Sequence, residues 1–434
     1  MVCYYVQKAK MVKGEDFILK NKKEKLWTLG FFILWQSQLV STLGDAVYNI
    51  ALGFWVLSVT GSTALMGMLM ASSALAGVLV SPFAGVIIDR YNRKHLLILM
   101  DTIRGISIII ISVAAINDRL AIWAVFATGI ILSICGAIFR PGVNSSVPDT
   151  VPKSKLTSAN SMLSIASTGS SMIGNIAGGL LFQIFGAPIL FIFNGLSYFF
   201  SGTSLIFVHI PKIEKNDEQN FWINMRDGFS FMWKFKGLRY ILLMVASINF
   251  FSYVAIVLFL PLFQDATYLG AGKYGIAMAC FMGGSMAGYI FSSIVFISPL
   301  KKLKLIIVST AVYNISLIVA VNQYSFIVMV ILLLVGGFFN SVVNVTLLTT
   351  VQSATPQEMR GKVMAFMSMI TQGLTPFAMA LGGILASFIS IRILITVSFI
   401  TVVIIVIPFY CIKPFKKLIR YDYKTDNLKD LIHS

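Results

Sequence analysis

Apolar residues run in long blocks along this 434-residue chain, separated by short polar punctuation. A helix needs roughly 20 such residues to cross about 30 Å of hydrocarbon. Blocks near 28–57, 62–87, 95–116, 120–145, 158–182, 187–209, 240–263, 274–297, 304–321, 324–349, 364–388 and 391–412 therefore predict twelve membrane-spanning helices and an all-α integral membrane fold. Polar, Lys-rich residues fill the first 25 positions, so no cleavable signal peptide is expected, and Met11 is a second candidate start.

Composition agrees. Hydrophobic residues make up 57% and charged residues 12% of the chain, with a mean hydropathy of +0.85. Soluble domains carry about 25% charge, so the water-soluble enzyme classes are excluded. Fibrous and disordered classes fail as well, because so much apolar surface must be buried.

A net charge of +17 could point to nucleic acid, but the cations lie between the apolar blocks, which points to lipid headgroups instead. If the twelve spans alternate, nearly all 34 Lys and Arg residues fall on one side. Only Arg119, Lys273 and Arg392 fall in loops on the other, while Arg104 and Arg140 sit within or at the ends of spans. Positive loops stay in the cytoplasm, so both termini and the central loop are expected there, in a cell membrane. Richness in Lys, Ile and Asn points to an AT-rich bacterial genome.

The chain divides into a tail 1–27, a six-helix bundle 28–210, a linker 211–239, a second bundle 240–412 and a tail 413–434. Within the linker, Phe221, Trp222, Met225, Phe229, Met232 and Trp233 recur at spacings of three and four. That pattern fits a helix lying in the membrane interface or one packed under the bundle. A repeat supports the division: Phe139, Asn144, Thr150 and Val151 return 200 positions on as Phe339, Asn344, Thr350 and Val351, and Gly178-Gly179 returns 204 on as Gly382-Gly383. Repeated halves imply a pseudo-twofold axis with a cavity between them.

Between spans two and three stands Gly85-Val-Ile-Ile-Asp89-Arg90-Tyr-Asn-Arg93. At this place it resembles the signature loop of the major facilitator superfamily, which latches the two halves on the cytoplasmic side. Asp101 and Arg104, three apart on span three, are expected to extend that charge cluster together with Arg140, as a moving latch or as a static network. Span five carries Gly174-Asn175-Ile-Ala-Gly178-Gly179, similar to the exporters' G-P-x-x-G-G motif except that Asn175 replaces the proline; Pro376 precedes its counterpart in span eleven. Small-residue packing explains these glycines too. Gln38, Ser41, Gly44-Asp45, Thr60-Gly61-Ser62, Phe139-Arg140-Pro141, Leu156 to Asn160 and Pro356 to Gly361 together look like the macrolide-efflux branch, to which siderophore exporters and lysophospholipid carriers are also similar. The drug-exporter arginine of span four is absent, since residues 120–135 hold no charge.

Asp45 lies deepest in its span, where a carboxylate costs about 2.5–3.5 kcal/mol on insertion scales. It is the candidate proton or cation site; the alternative is helix packing through Gln38, Tyr48 or Asn49. The repeat, counted from Gly67 and Gly275, places Tyr253 opposite Asp45. Gln36, Gln38, Asn249, Tyr253, Asn340 and Asn344 are cavity candidates or interhelical glue. Asp265 reads as a solvated loop residue. Neither metal nor cofactor is expected: Cys3, Cys135, Cys280 and Cys411 are unpaired by spacing, all but Cys3 reading as apolar packing, and no ATP-binding glycine loop or H-E-x-x-H is present. His95, His209 and His433 sit at edges or in the tail. These features predict a monomeric secondary exporter of an amphipathic molecule, macrolide-like, driven by protons, with lipid but no nucleic acid as partner. A lysophospholipid or siderophore carrier and a sensor without flux are the alternatives.

Overall fold

The computed structural model describes residues 25–208, 221–266, 268–295 and 297–421. The candidate start Met11, most of both tails, linker residues 209–220 and the side chains of Asp89, Phe221, Trp222 and Met225 lie outside the described residues. The described residues form fifteen α-helices in order: α1 Leu29–Thr60, α2 Thr63–Arg90, α3 Arg93–Ile116, α4 Ile122–Thr150, α5 Leu156–Leu205, α6 Phe221–Lys234, α7 Lys236–Ile256, α8 Phe259–Asp265, α9 Ala271–Ile294, α10 Pro299–Val321, α11 Phe326–Ser353, α12 Gln357–Gly373, α13 Thr375–Leu385, α14 Ile391–Phe409 and α15 Lys413–Ile419.

Eleven stretches among the described residues are long and apolar enough to cross a bilayer. The twelfth crossing is hidden in α5, whose 50 residues at about 1.5 Å each would span two bilayers. The helix doubles back at Gly186, where φ is 70° and ψ −178°, ahead of Pro188. That backbone region is open essentially to glycine alone. A Cβ at Gly186 would meet only the Pro188 ring at 3.8 Å, so Gly186→Ala tests the backbone and not the space. It is expected to cost about 1–3 kcal/mol, read as a lower thermal unfolding midpoint in detergent.

Caps set the other turns. Gly61, at φ 61°, ends α1, and the Ser62 hydroxyl accepts the Leu65 amide to start α2. Asn92 starts α3 by accepting from the amides of Lys94 and His95 at 3.0 and 3.4 Å. Leu79, Ile110, Ile184, Ile327 and Ile404 stay exposed on the spans, as lipid contact requires.

The core is branched. One cluster is shared by both bundles and contains Phe54, Phe191, Leu260, Phe263, Tyr313 and Phe399. Two others are separate: Phe31, Leu97, Phe139 and Val147 in the first bundle, Leu238, Leu347, Val363 and Phe415 in the second. The shared cluster lies at the outer end, away from the chain ends; the separate ones lie at the inner end, where α1 begins and α14 finishes. The bundles are thus joined at one end and parted at the other.

Several expectations shift. Span six ends at Leu205. Residues 413–421 are not tail: α15 buries Phe415, Leu418 and Ile419, an i, i+3, i+4 face, against the second bundle. Cys411 is exposed rather than packed. Helix α6 takes the underside arrangement, burying Met232 completely, yet Phe229 and Trp233 remain 44% and 49% exposed.

Candidate functional site

Between the parted inner halves lies a cavity of about 810 Å³. Asp45, Tyr48, Asn49 and Leu52 of α1 line its deep end, with Tyr253 of α7 across from them. Asp45 and Tyr253, equated by the repeat, therefore face one space. Gly85 and Arg140 line the inner reach, and Ala365, Ser368, Met369 and Gln372 of α12 form the second bundle's wall. Gln36, Gln38, Asn249, Asn340 and Asn344 are absent from the lining. Gln38 instead donates to Thr42 at 2.9 Å, and Asn344 to the Asn340 carbonyl at 3.0 Å.

Asp45 is not held by Gln38, Tyr48 or Asn49. Its carboxylate accepts from the hydroxyl of Tyr198, on the second half of α5. The Tyr198 ring in turn covers the Arg104 guanidinium at 4.3 Å, and Phe139 covers it at 4.3 Å from a second ring. Arg104 pairs with Asp101, whose other oxygen accepts from Ser201 at 2.6 Å. Asp101 and Arg104 are an i, i+3 pair on α3, and Tyr198 and Ser201 an i, i+3 pair on α5, so two facing rungs make the network. Asp101 is 0% and Arg104 3% exposed. Arg104 Nε and the Tyr48 hydroxyl have no partner among the described residues.

The expected continuity of Asp101 and Arg104 with Asp89 falls on a side chain outside the described residues. Among the described residues the pair is linked toward Asp45: the Ser201 hydroxyl of α5 donates to Asp101, and Tyr198 covers Arg104 with its ring while its hydroxyl reaches Asp45. At the loop, Arg93 donates to the Ser145 carbonyl at 2.8 Å and to Asp149 at 3.2 Å, tying α3 to the end of α4. Arg90 and Gly85 are exposed, as is Arg140, which reaches the cavity alone of the loop's expected allies besides Arg104. Removing one partner of a buried pair costs about 3–5 kcal/mol. Arg104→Gln is expected to destabilise by that order, with Arg104→Lys less damaging, in a detergent thermal-unfolding series.

At the outer end the bundles touch through glycines. A Cβ on Gly67 would meet the Gly383 Cα at 2.8 Å, and one on Gly383 the Thr63 carbonyl at 2.7 Å. Gly179 and Gly275 are similarly blocked by backbone, Gly275 against Asn175 and Gly179 against Ala271. The two crossings exchange under the repeat, which pairs Gly67 with Gly275 and Gly179 with Gly383. The Thr63 hydroxyl donates to the Gly383 carbonyl at 3.2 Å. Gly174 and Gly178 pack instead within the first bundle, on Ala46 and Val47. Helix α5 runs unbroken through Asn175, whose amide reaches the Met282 sulfur at 3.1 Å. The break falls in span eleven, between Gly373 and buried Pro376.

Outside this seam a cleft of about 900 Å³ is lined by Thr63, Asp265, Tyr268 and Arg392. Two outer-loop cations converge there on Tyr268: Arg392 donates to its hydroxyl oxygen at 2.5 Å and Lys273 to its carbonyl at 2.6 Å. Asp265 is exposed, at the end of α8.

Sequence reasoning missed Tyr198, Phe139 as a stacking partner, and Asp149. A signal existed for the first: Asn194, Ser197, Tyr198 and Ser201 form a polar stripe at helical spacing within an apolar run.

The profile of the family described as Major Facilitator Superfamily matches residues 34–377. Macrolide efflux protein A of Streptococcus pyogenes is 25% identical over 379 residues, 86% of this chain and 92% of that protein. The staphyloferrin A transporter of Staphylococcus aureus is 22% identical over 87% of this chain and 94% of its own. Among solved structures, a bacterial homologue of the iron transporter ferroportin in an inward-facing state shares the fold at TM-score 0.68 and 15% identity, covering 89% of this chain and 100% of that one.

Proposed function

The chain belongs to the major facilitator superfamily, and we propose that within this family of transporters it is a secondary active exporter of amphipathic, macrolide-like molecules, exchanging them for protons by alternating access. The observation that carries the reading is the cavity of about 810 Å³ with Asp45 at its deep end. Asp45 is the one described carboxylate on that lining. A group that is neutral with its proton on and charged with it off can answer to a cationic cargo in the same space. Tyr198 connects it to the buried Asp101 and Arg104 pair, so a change of charge at Asp45 is felt by α3 and α5 together.

The inner end faces the cytoplasm in this proposal, because the basic loops gather there. The protein then sits in a bacterial cell membrane as a monomer, with both termini inside, surrounded by lipid and needing no cofactor. Aromatic walls at Tyr48, Tyr198 and Tyr253, with Met369, suit an apolar body.

Arg104 and Arg140 on the same lining favour a second reading, an anionic cargo of the siderophore kind. Inverted vesicles separate the two. An imposed pH gradient is expected to drive accumulation of a radiolabelled macrolide but not of a polycarboxylate siderophore. The reverse preference selects the second reading, and absence of counterflow for either, and for lysolipid, removes transport altogether.

A further inference from the structure

Helix α6 lies between the bundles in sequence and uses two faces. Its buried face is strapped to the start of span eleven. Asp227 pairs with Lys362 at 2.6 Å and a Cβ on Gly228 would meet the Lys362 carbonyl at 2.5 Å, while Phe229, at the edge between the two faces, touches the Phe366 ring at 5.4 Å. Such close backbone contact means that α6 and α12 move as one piece. Helix α12 carries Ala365, Ser368, Met369 and Gln372 of the cavity wall and ends at the break between Gly373 and Pro376.

The other face carries Arg226, Phe229 and Trp233 at i, i+3 and i+7, with Lys234 beside them, all exposed. Phe229 and Trp233 stack at 5.6 Å. Trp233 stands three residues before the membrane span α7 begins, and the Arg239 guanidinium lies 5.4 Å from its ring and 5.5 Å from that of Tyr240. Aromatic rings with adjacent cations are the composition of the membrane–water boundary. Asp227, the carboxylate of this helix, is paired with Lys362, so Arg226 and Lys234 leave the described exposed face with a net positive charge beside its rings.

We propose that this face of α6 docks on the phosphates of anionic phospholipid in the adjacent leaflet, and that the contact holds the inner half of span eleven in place. The bilayer surface is the occupant because the chain itself delivers Trp233 to it. Arg226 and Lys234 supply the charge complementarity, the stacked rings the apolar anchor. The strap carries the effect to the cavity wall, whatever cargo that wall meets.

The test uses the full chain with Cys3, Cys135, Cys280 and Cys411 replaced and a nitroxide at Ser230→Cys. Each basic residue near an anionic surface is worth about a five-fold gain in association. Adding about 30 mol% phosphatidylglycerol to phosphatidylcholine vesicles is therefore expected to lower the label's accessibility to a nickel chelate at least about two-fold and to raise that to oxygen. Arg226→Gln with Lys234→Gln, or about 0.5 M salt, should return it to the phosphatidylcholine value. A second label at Tyr91→Cys should report a changed distance to Ser230→Cys with phosphatidylglycerol, lost in Lys362→Gln. Equal accessibility in both lipids overturns the docking, as does protection that requires an added protein. Docking with an unchanged distance overturns the hold on span eleven. None of these readouts depends on transport, so their failure is distinct from failure of the exporter reading.

Discussion

Asp45→Asn is expected to abolish accumulation driven by a pH gradient in inverted vesicles while cargo counterflow without a gradient persists. The amide keeps the shape and hydrogen-bonding capacity of the carboxyl but carries no exchangeable charge, so the cavity can still alternate without being coupled to protons. Tyr198→Phe separates position from charge. It removes the hydroxyl that Asp45 accepts from and keeps the ring over Arg104. A hydrogen bond to a charged group contributes about 1.5–3 kcal/mol, so coupled transport should fall about ten-fold or more, with folding intact. Tyr253→Phe, at the pseudo-equivalent position without a carboxylate, is expected to leave coupling unchanged. Pumping at the wild-type rate by Asp45→Asn at normal expression would take Asp45 out of the mechanism.

The second large effect lies at the outer seam. Gly383→Val and Gly67→Val place side chains against backbone at 2.7–2.8 Å, where no rotamer change relieves the contact. The conflict exists only while the outer ends are together. Overpacking costs about 1–3 kcal/mol, and every 1.4 kcal/mol shifts a two-state population about ten-fold, so both variants should favour the outward-open state and lose transport. A cysteine at Leu52, on the cavity's deep end and 8% exposed, should then react with an impermeant maleimide from outside. Gly85→Val should do the opposite. A Cβ at Gly85 has nothing within 4 Å, so its obstruction is confined to closing the inner end. The same shift of labelling from both substitutions would refute rocking between two closures.

The number of spans, the side on which the charges lie and the pairing of the halves could be read along the chain. Each depends on local composition or spacing, and lipid makes hydrophobic length a strict requirement. The repeat even anticipated the geometry: positions equated by counting, Asp45 with Tyr253 and Gly67 with Gly275, prove to face one cavity and to make equivalent crossings. The aspartate-centred network was only half legible. Asp45, Asp101 and Arg104 stand out as charges in apolar runs, whereas Tyr198 and Phe139 look like any aromatic in a span. Gly186 looks like one more glycine, although its backbone alone lets one 50-residue helix serve as two crossings.

The sequence by itself thus determined what must be buried in the membrane and which end of it carries the positive charge. The tertiary structure decided what joins the buried charges, placing Tyr198 between Asp45 and the Asp101–Arg104 pair. It also decided which end of the bundles is shut. The reason is physical: helix formation and insertion are set by residues within a few turns of one another, but the hydrogen bonds that satisfy a buried charge and a glycine seam depend on contacts between spans roughly a hundred or more positions apart, such as Asp101 with Ser201 and Gly67 with Gly383. Those contacts exist only once the bundles have packed.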